Sequence, residues 1–293
     1  MHGQAKADGA IFQAFREARG EPYQPADPKT IRAFIEDRVG AGKKPATIKR
    51  YVATIARVHV AAGLLNPCSS EAVRLGLKQM GRETSERQTQ AHPLNWKDIK
   101  EFIESAGEGL RADREGAMLC VAYETLARRG ELVALTVRDI DFHPDGTGQA
   151  IIRRGKTDAE GQGRVAYLSR ETVRWLKAWL EHAGVEEGAA FRRLIGRKEI
   201  GGPLNPGSIA PIFKRVAQWI GMPARYVALV SGHSTRVGAT QDLAALDIDL
   251  AAITQAGGWK STRMPLQYAE KINAARSGMA RAVEKTGRDI FPD

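Results

Sequence analysis

Apolar residues recur at helical spacing through most of the chain. Pro28-Lys29-Thr30 precede Ile31, Phe34, Ile35 and Val39, and Ala46 opens a second stripe of Ile48, Tyr51, Val52, Ile55 and Val58. Lys43, Lys44, Lys49, Arg50 and Arg57 flank or oppose that stripe. Such a helix can pack on a core with one face and lie along phosphates with the other, although a solvated basic face accounts for the segment equally well. The stretch from Gly81 to Gln90 has no apolar residue and reads as a linker. His92-Pro93-Leu94 then leads to Asn95, an N-cap for a helix through Ile103.

Beyond the linker the pattern predicts helices near 95–105 and 113–127, followed by a β-rich patch. Leu132–Val137 and Asp139–Phe142 read as extended, and Pro144-Asp145-Gly146 as a turn. Ala150–Arg153 reads as a strand, Gly155 opens a loop, and Arg164–Leu168 is the hairpin partner. Helices resume near 170–183, 207–220, 234–246 and 249–255, and Ala274–Val283 reads as a short amphipathic helix. The expectation is a mainly α protein with one small antiparallel sheet. Its parts are a helical domain over 1–81, a linker over 82–93, and an α+β domain over 94–293.

Composition narrows the function. In 293 residues, 44 Lys and Arg stand against 34 Asp and Glu, a net charge of +10. Residues 1–93 hold 15 basic and 9 acidic residues, so the excess is denser there. A polyanion, nucleic acid first, is the expected partner. Hydrophobic residues make up 43%, enough for a core, so a disordered basic tail is excluded. No apolar run reaches the roughly 18 residues of a membrane helix, and no signal-peptide core is present. Cys68 and Cys120 are too few for a disulfide framework or a cysteine zinc site. These features predict a reduced, cytoplasmic protein without a membrane partner. The histidines are scattered without HExxH, so no metal is expected. Gly155-Lys156-Thr157 ends like a P-loop, but Ala150 stands where its first glycine is needed, so no nucleotide cofactor is expected either.

Three places combine groups suited to phosphate chemistry. Arg128-x-x-Glu131 offers a guanidinium fork with a carboxylate to orient it; alone, it reads more simply as a helix-surface ion pair. His233-x-x-Arg236, within Ser231–Arg236, sets two anion-binding groups on one face of a helix start that Ser234 or Thr235 can cap. Gln255-Ala256-Gly257-Gly258-Trp259 allows a tight turn, and Tyr268 follows nine residues after Trp259.

Their order resembles the tyrosine recombinases, the phage integrase family, over nearly the whole chain. The likeness is strongest over Ala122–Glu131, Ser231–Ala239 and Ile253–Trp259. It implies a two-domain DNA clamp, with an all-helical core-binding domain and an α+β catalytic domain. Tyr268 matches the nucleophile, Arg128 and Arg236 the catalytic arginines, His233 the H-x-x-R histidine, and Lys156 the catalytic lysine, a general acid. Glu131 completes the R-x-x-E context as an orienting residue. Trp259 falls where most of the family has His and one branch has Trp; Val237 departs from a second common His in the same way. About ten residues precede Ile11–Phe15, so the first helix is expected to be short. The resemblance implies metal-free and ATP-free strand transfer on double-stranded DNA through a 3′-phosphotyrosyl bond. It also implies a monomer in free solution and a homotetramer on paired sites, in a protein of bacterial, phage or plasmid origin. Lys43, Lys44, Lys49 and Arg50 are the expected backbone contacts. Two alternatives stand beside it: a catalytically decayed DNA-binding relative, suggested by the short N-terminus, and a type IB topoisomerase.

Overall fold

The structure, a computed structural model, describes residues 3–21, 25–84, 89–153, 163–196 and 199–288. It divides into two compact units, Met1–Thr89 and Gln90–Asp293.

Among the described residues the first unit holds four α-helices: α1 (Gly3–Glu17), α2 (Pro28–Gly40), α3 (Pro45–Ala61) and α4 (Glu71–Glu83). Asp27 caps α2 by accepting from the Lys29 N–H, with Pro28 pre-set in the first turn. The two stripes read from sequence meet in one core, where Ile31, Phe34 and Ile35 face Ile48, Tyr51 and Ile55. Phe12 of α1 joins them, edge-on to Phe34 with centroids 5.1 Å apart. His59 is buried there as a neutral ring. Its Nε2 accepts from the Ala26 N–H, which leaves Nδ1 to donate to the Ile55 carbonyl. Helix α4 runs to Glu83, two residues into the stretch read as linker.

The second unit opens on α5 (Trp96–Ser105), α6 (Leu110–Glu124) and α7 (Arg129–Ala134). A three-stranded antiparallel sheet follows, β1 (Ile140–Phe142), β2 (Gly148–Ile152) and β3 (Arg164–Leu168), in the order β1-β2-β3. Ala150 pairs with Ala166 and Ile152 with Arg164. Along β2, Gly148, Ala150 and Ile152 point inward while Gln149 and Ile151 face out, the alternation of a half-buried strand. Then come α8 (Arg170–His182), a hairpin of β4 (Arg192–Ile195) and β5 (Glu199–Pro203), and α9 (Ile209–Trp219). The chain continues through α10 (Ala224–Leu229), α11 (Ser234–Ala245), α12 (Leu250–Ala256), α13 (Arg263–Tyr268), α14 (Glu270–Ala275) and α15 (Gly278–Thr286).

Three readings change. Leu132–Ala134 is helical, not extended: Glu131 accepts the Arg128 N–H and starts α7, and this local cap outweighs the β preference of the aliphatic run. The β4–β5 hairpin adds a second small sheet. Ala274–Val283 is not one helix; it breaks at Arg276, and Ser277 caps a new helix by accepting from the Ala280 N–H.

Helix α6 is the axis of the second core, buried without interruption from Arg114 to Ala122. The start of α5 is tied to it through Asp242 of α11. That carboxylate accepts from Asn95 Nδ2 (2.6 Å), the Trp96 N–H (2.8 Å) and the Tyr123 hydroxyl (2.5 Å). Burial and this bond hold the Tyr123 hydroxyl protonated far above the ordinary phenol range. Helix α11 also approaches the irregular segment before α5 closely. The Leu94 N–H donates to the Ser234 carbonyl (3.0 Å), and a Cβ at Gly238 would lie 2.0 Å from the Leu94 carbonyl oxygen. Gly238→Ala is therefore expected to destabilise this unit by about 1–3 kcal/mol through overpacking, although alanine is the better helix former by about 1 kcal/mol. Urea unfolding followed by circular dichroism measures it; an unchanged or raised midpoint would show that the seam can relax.

Candidate active site

Helix α6 ends at Glu124, and its last carbonyls lack intrahelical partners and carry partial negative charge. Thr125, Leu126 and Ala127, which follow, are buried. Leu126 adopts φ +48°, unusual for a residue with a side chain, and this turns successive carbonyls toward different neighbours. Each meets an arginine: the Thr125 carbonyl accepts from Arg164 Nη2, and the Leu126 carbonyl from Arg236 Nη1.

Arg236 lies in the first turn of α11 and is 1% exposed. Its Nη2 donates to the Gly257 carbonyl at 2.6 Å, and the guanidinium carbon sits 3.9 Å from the Trp259 ring centre. Burial, then the charge of Arg128, pushes its pKa down to about 9. Glu131 and Tyr268 oppose the shift, and Arg164 adds to it.

Arg128 is the N-cap of α7. Its N–H donates to Glu131 Oε2 (3.0 Å) and its Nη1 to Glu131 Oε1 (2.6 Å). The carboxylate thus starts the helix and aims the guanidinium at once. Glu131 is 4% exposed and Arg128 28%, so the fork keeps a path to solvent. Arg164, at the start of β3, places Nη2 3.8 Å from the same carboxylate.

His233 immediately precedes α11 and is exposed as a residue, although its imidazole is partly desolvated. Ser234 does not cap that helix with its side chain; its hydroxyl accepts the Ser231 N–H instead. Desolvation, then Arg236, Arg129 and Arg128, lowers the His233 pKa, with Glu131 opposing.

Trp259 folds back over its own turn. A Cβ at Gly257 would fall 1.9 Å from Trp259 Cζ3, and Gly258 has φ +60°, so the two glycines permit the ring position. Tyr268 ends α13, half-buried, with its ring edge-on to Trp259 at 6.1 Å. Its carbonyl accepts from Gln90 Nε2 (3.3 Å) and Gln241 Nε2 (3.1 Å), which anchors the backbone under the phenol.

Arg128, Glu131, His233, Arg236, Trp259 and Tyr268 are thus linked in one cluster, while Lys156 lies outside the described residues. Lys43, Lys44 and Lys49 are exposed at or near the start of α3. Arg50 differs, because it forks onto the buried Asp8 carboxylate at 2.8 and 3.0 Å and its charge is already paired. Arg164 was missed by the sequence reading. Its partners are distant in sequence, and the only local signal was a basic residue in a strand otherwise built to pack. The cluster can orient two oxygens of an anion beside an aromatic hydroxyl.

A family model described as "Phage integrase family" matches residues 92–274. The chain belongs to the phage integrase family. Recombinase Cre of Escherichia phage P1 is 26% identical over 292 residues, spanning 93% of this chain and 84% of Cre. The integrase/recombinase XerD homologue of Selenomonas ruminantium is 28% identical over 277 residues, spanning 91% and 80%. Among solved structures, the Tn1549 transposon integrase in complex with circular intermediate DNA superposes with a TM-score of 0.67 at 14% identity, covering 98% of this chain and 94% of that one. XerH recombinase bound to a palindromic difH substrate gives 0.60 at 17%, covering 92% and 76%. This phage integrase family member is a tyrosine-type site-specific recombinase, and the reading as a decayed relative finds no support in these proteins.

The depressed His233 pKa makes a signed prediction. The folded site holds protons less readily than the unfolded chain, whose imidazole titrates near 6.5. Stability contributed by neutral His233 is present above that pH and declines as pH falls below it. His233→Gln should therefore flatten the fall in Tm between pH 7.5 and 5; identical slopes for both proteins would contradict the assignment.

Proposed function

We propose that this recombinase cuts and rejoins double-stranded DNA at a specific site through a 3′-phosphotyrosyl intermediate, with neither metal nor ATP. The observation that carries the reading is a guanidinium cluster around a single carboxylate, with an aromatic hydroxyl at its edge. The Arg236 pKa is depressed to about 9 by burial first and by the charge of Arg128 second.

The Tyr268 oxygen attacks the scissile phosphorus as its phenol proton passes to solvent, the P–O bond to the 5′ oxygen breaks, and that oxygen takes a proton and leaves as the 5′ hydroxyl. A phenol is scarcely ionised at neutral pH, so the barrier falls only if the site stabilises the charge on the phosphorane. Arg128 and Arg236 take the two non-bridging oxygens. Arg236 has five N–H donors and uses two on the Leu126 and Gly257 carbonyls, which leaves three for a phosphate. His233 and the Trp259 indole N–H add hydrogen bonds. Lys156 protonates the leaving oxygen, a role that rests on its sequence position. The phosphotyrosyl bond conserves the energy of the broken linkage, so a second 5′ hydroxyl can reverse the step without ATP. The basic face with Lys43, Lys44 and Lys49 grips the backbone by charge. Acting on DNA, the protein works in the bacterial cytoplasm.

Assembly into a homotetramer on paired sites, from monomers in free solution, is part of the same proposal. Helix α15 has no buried residue, and its Met279 is 67% exposed. A cavity of about 360 Å³ beside α12 and α13 has an apolar wall of Ile248, Leu250, Ile253, Pro265 and Leu266. One copy's helix in the next copy's cavity is a head-to-tail contact, the kind that closes into a ring when the rotation between copies returns to its start.

Two measurements test the reading. A nicked duplex carrying a site selected from a random library by binding to this protein should give a covalent protein–DNA band in a denaturing gel, and Tyr268→Phe should abolish it. Binding without any band for the wild type overturns the catalysis, and a band that persists in Tyr268→Phe overturns the nucleophile. Met279→Glu should leave single-site binding unchanged while lowering the mass of the assembly on paired sites in sedimentation; an unchanged assembly overturns the docking.

A further inference from the structure

Arg164 lies between the parts of the site. Its Nη2 donates to the Thr125 carbonyl and stands 3.8 Å from Glu131 Oε2, on the carboxylate that aims Arg128. Its stem fills the space left by Gly258, where a Cβ would sit 2.9 Å from both Arg164 Cδ and Nε. The side chain is 16% exposed, and its Nη1 is buried with no hydrogen-bond partner among the described residues. A buried guanidinium nitrogen without a partner costs stability, so packing alone does not account for an arginine here.

We propose that Arg164 is a positioning residue for the strand-transfer reaction, sharing Glu131 with Arg128 and supplying the charge by which the site favours the phosphorane over the phosphodiester. The proposal rests on the reading of the previous section. A phosphodiester carries one negative charge, and the phosphorane formed by an attacking phenolate carries two. Lys156 gives its proton to the leaving oxygen, so the charge that faces the non-bridging oxygens is that of the described residues, where Arg128 and Arg236 against Glu131 leave a net charge of +1, which matches the ground state. With Arg164 the net charge becomes +2, which matches the transition state, and only binding that is stronger in the transition state accelerates the reaction. Sharing also limits how far Glu131 neutralises Arg128, because the carboxylate faces two cations at once. The pKa directions agree: burial depresses Arg164, Glu131 opposes, and Arg128 adds to the depression, so the arginines sense one another.

The test uses the full chain and the selected nicked duplex, with either a normal scissile phosphate or a methylphosphonate, which lacks one negative charge. Arg164→Gln keeps a donor for the Thr125 carbonyl and removes the charge. Its single-turnover cleavage of the normal phosphate should fall roughly tenfold to hundredfold, with DNA affinity within about threefold of wild type. On the methylphosphonate the loss should largely disappear. Arg164→Lys, which keeps the charge, should recover most of the normal rate. An equal loss on both substrates marks a merely structural role and overturns the proposal, as does a wild-type rate for Arg164→Gln. If Arg164→Gln does not fold, Arg164→Lys decides. Recovery of most of the wild-type rate on the normal phosphate, with a phosphate-to-methylphosphonate ratio like the wild type's, supports the proposal; an equal loss on both substrates or a ratio shifted toward the methylphosphonate overturns it. A wild-type protein that binds but forms no covalent band on the normal phosphate removes the underlying reading, and this proposal with it.

Discussion

The second unit is organised around one costly requirement, a buried guanidinium at Arg236 with no carboxylate of its own among the described residues. Burying an ion costs several kcal/mol unless its hydrogen bonds are met. Here two of its five donors are met by backbone carbonyls, those of Leu126 and Gly257, and the Trp259 face covers the plane. Each of those groups imposes a demand elsewhere. The Leu126 carbonyl is available because φ is positive there, a conformation that costs on the order of 1 kcal/mol or more in a residue with a side chain. The Gly257 carbonyl is available because α12 ends at Ala256, and the Trp259 ring fits because Gly257 has no Cβ.

The rest of the core fixes where those carbonyls stand. Helix α6 can be buried on all sides because Ala117, Met118, Leu119, Cys120, Val121 and Ala122 offer no polar side chain. A helix held so completely delivers its C-terminal end to one place. The Asp242 junction fixes α11 against α6 and the start of α5, and α11 carries Arg236 in its first turn. The strand β3 brings Arg164 to the same helix end, because its register with β2 pairs Arg164 with Ile152. Packing thus sets the geometry of the charges, while the charges oppose the packing.

Much of this was legible in the residues and some of it was not. The stripes of α2 and α3, the cap at Asn95 and the β2–β3 pairing follow from periodicity and cap chemistry, which are local. The clustering of Arg128, His233, Arg236, Trp259 and Tyr268 was legible through the order of motifs rather than through any one of them. Leu132–Val137 misled because an aliphatic run carries no helix signal, and the deciding interaction is a carboxylate one residue upstream of it. The β4–β5 hairpin escaped notice because Arg192–Ile195 and Glu199–Pro203 mix charge, glycine and proline, which weakens alternation. Ala274–Val283 looked continuous because a serine N-cap inside an apolar pattern is easily passed over. Arg164 was invisible for a different reason: Thr125, Glu131 and Gly258 have no sequence relation to it until the sheet forms.

Neutral and charged ligands do different work on an arginine. A carboxylate orients a guanidinium but cancels its charge; a peptide carbonyl orients it and leaves the charge intact. In this site Arg236 and Arg164 are held by carbonyls, and one carboxylate, Glu131, serves Arg128. Orientation is therefore achieved without neutralisation, and the positive potential stays concentrated where the dielectric is low and each charge counts most. Had every arginine been held by its own acid, the geometry could be as good and the field would vanish. The contrast with Arg50, whose fork is spent on buried Asp8, shows the same side chain used for architecture instead. The net charge of the whole chain does not separate these two uses. The acceptors do: a backbone oxygen leaves an arginine's charge intact, one carboxylate shared between Arg128 and Arg164 neutralises each only in part, and a carboxylate held by one arginine alone, as at Arg50, neutralises it most.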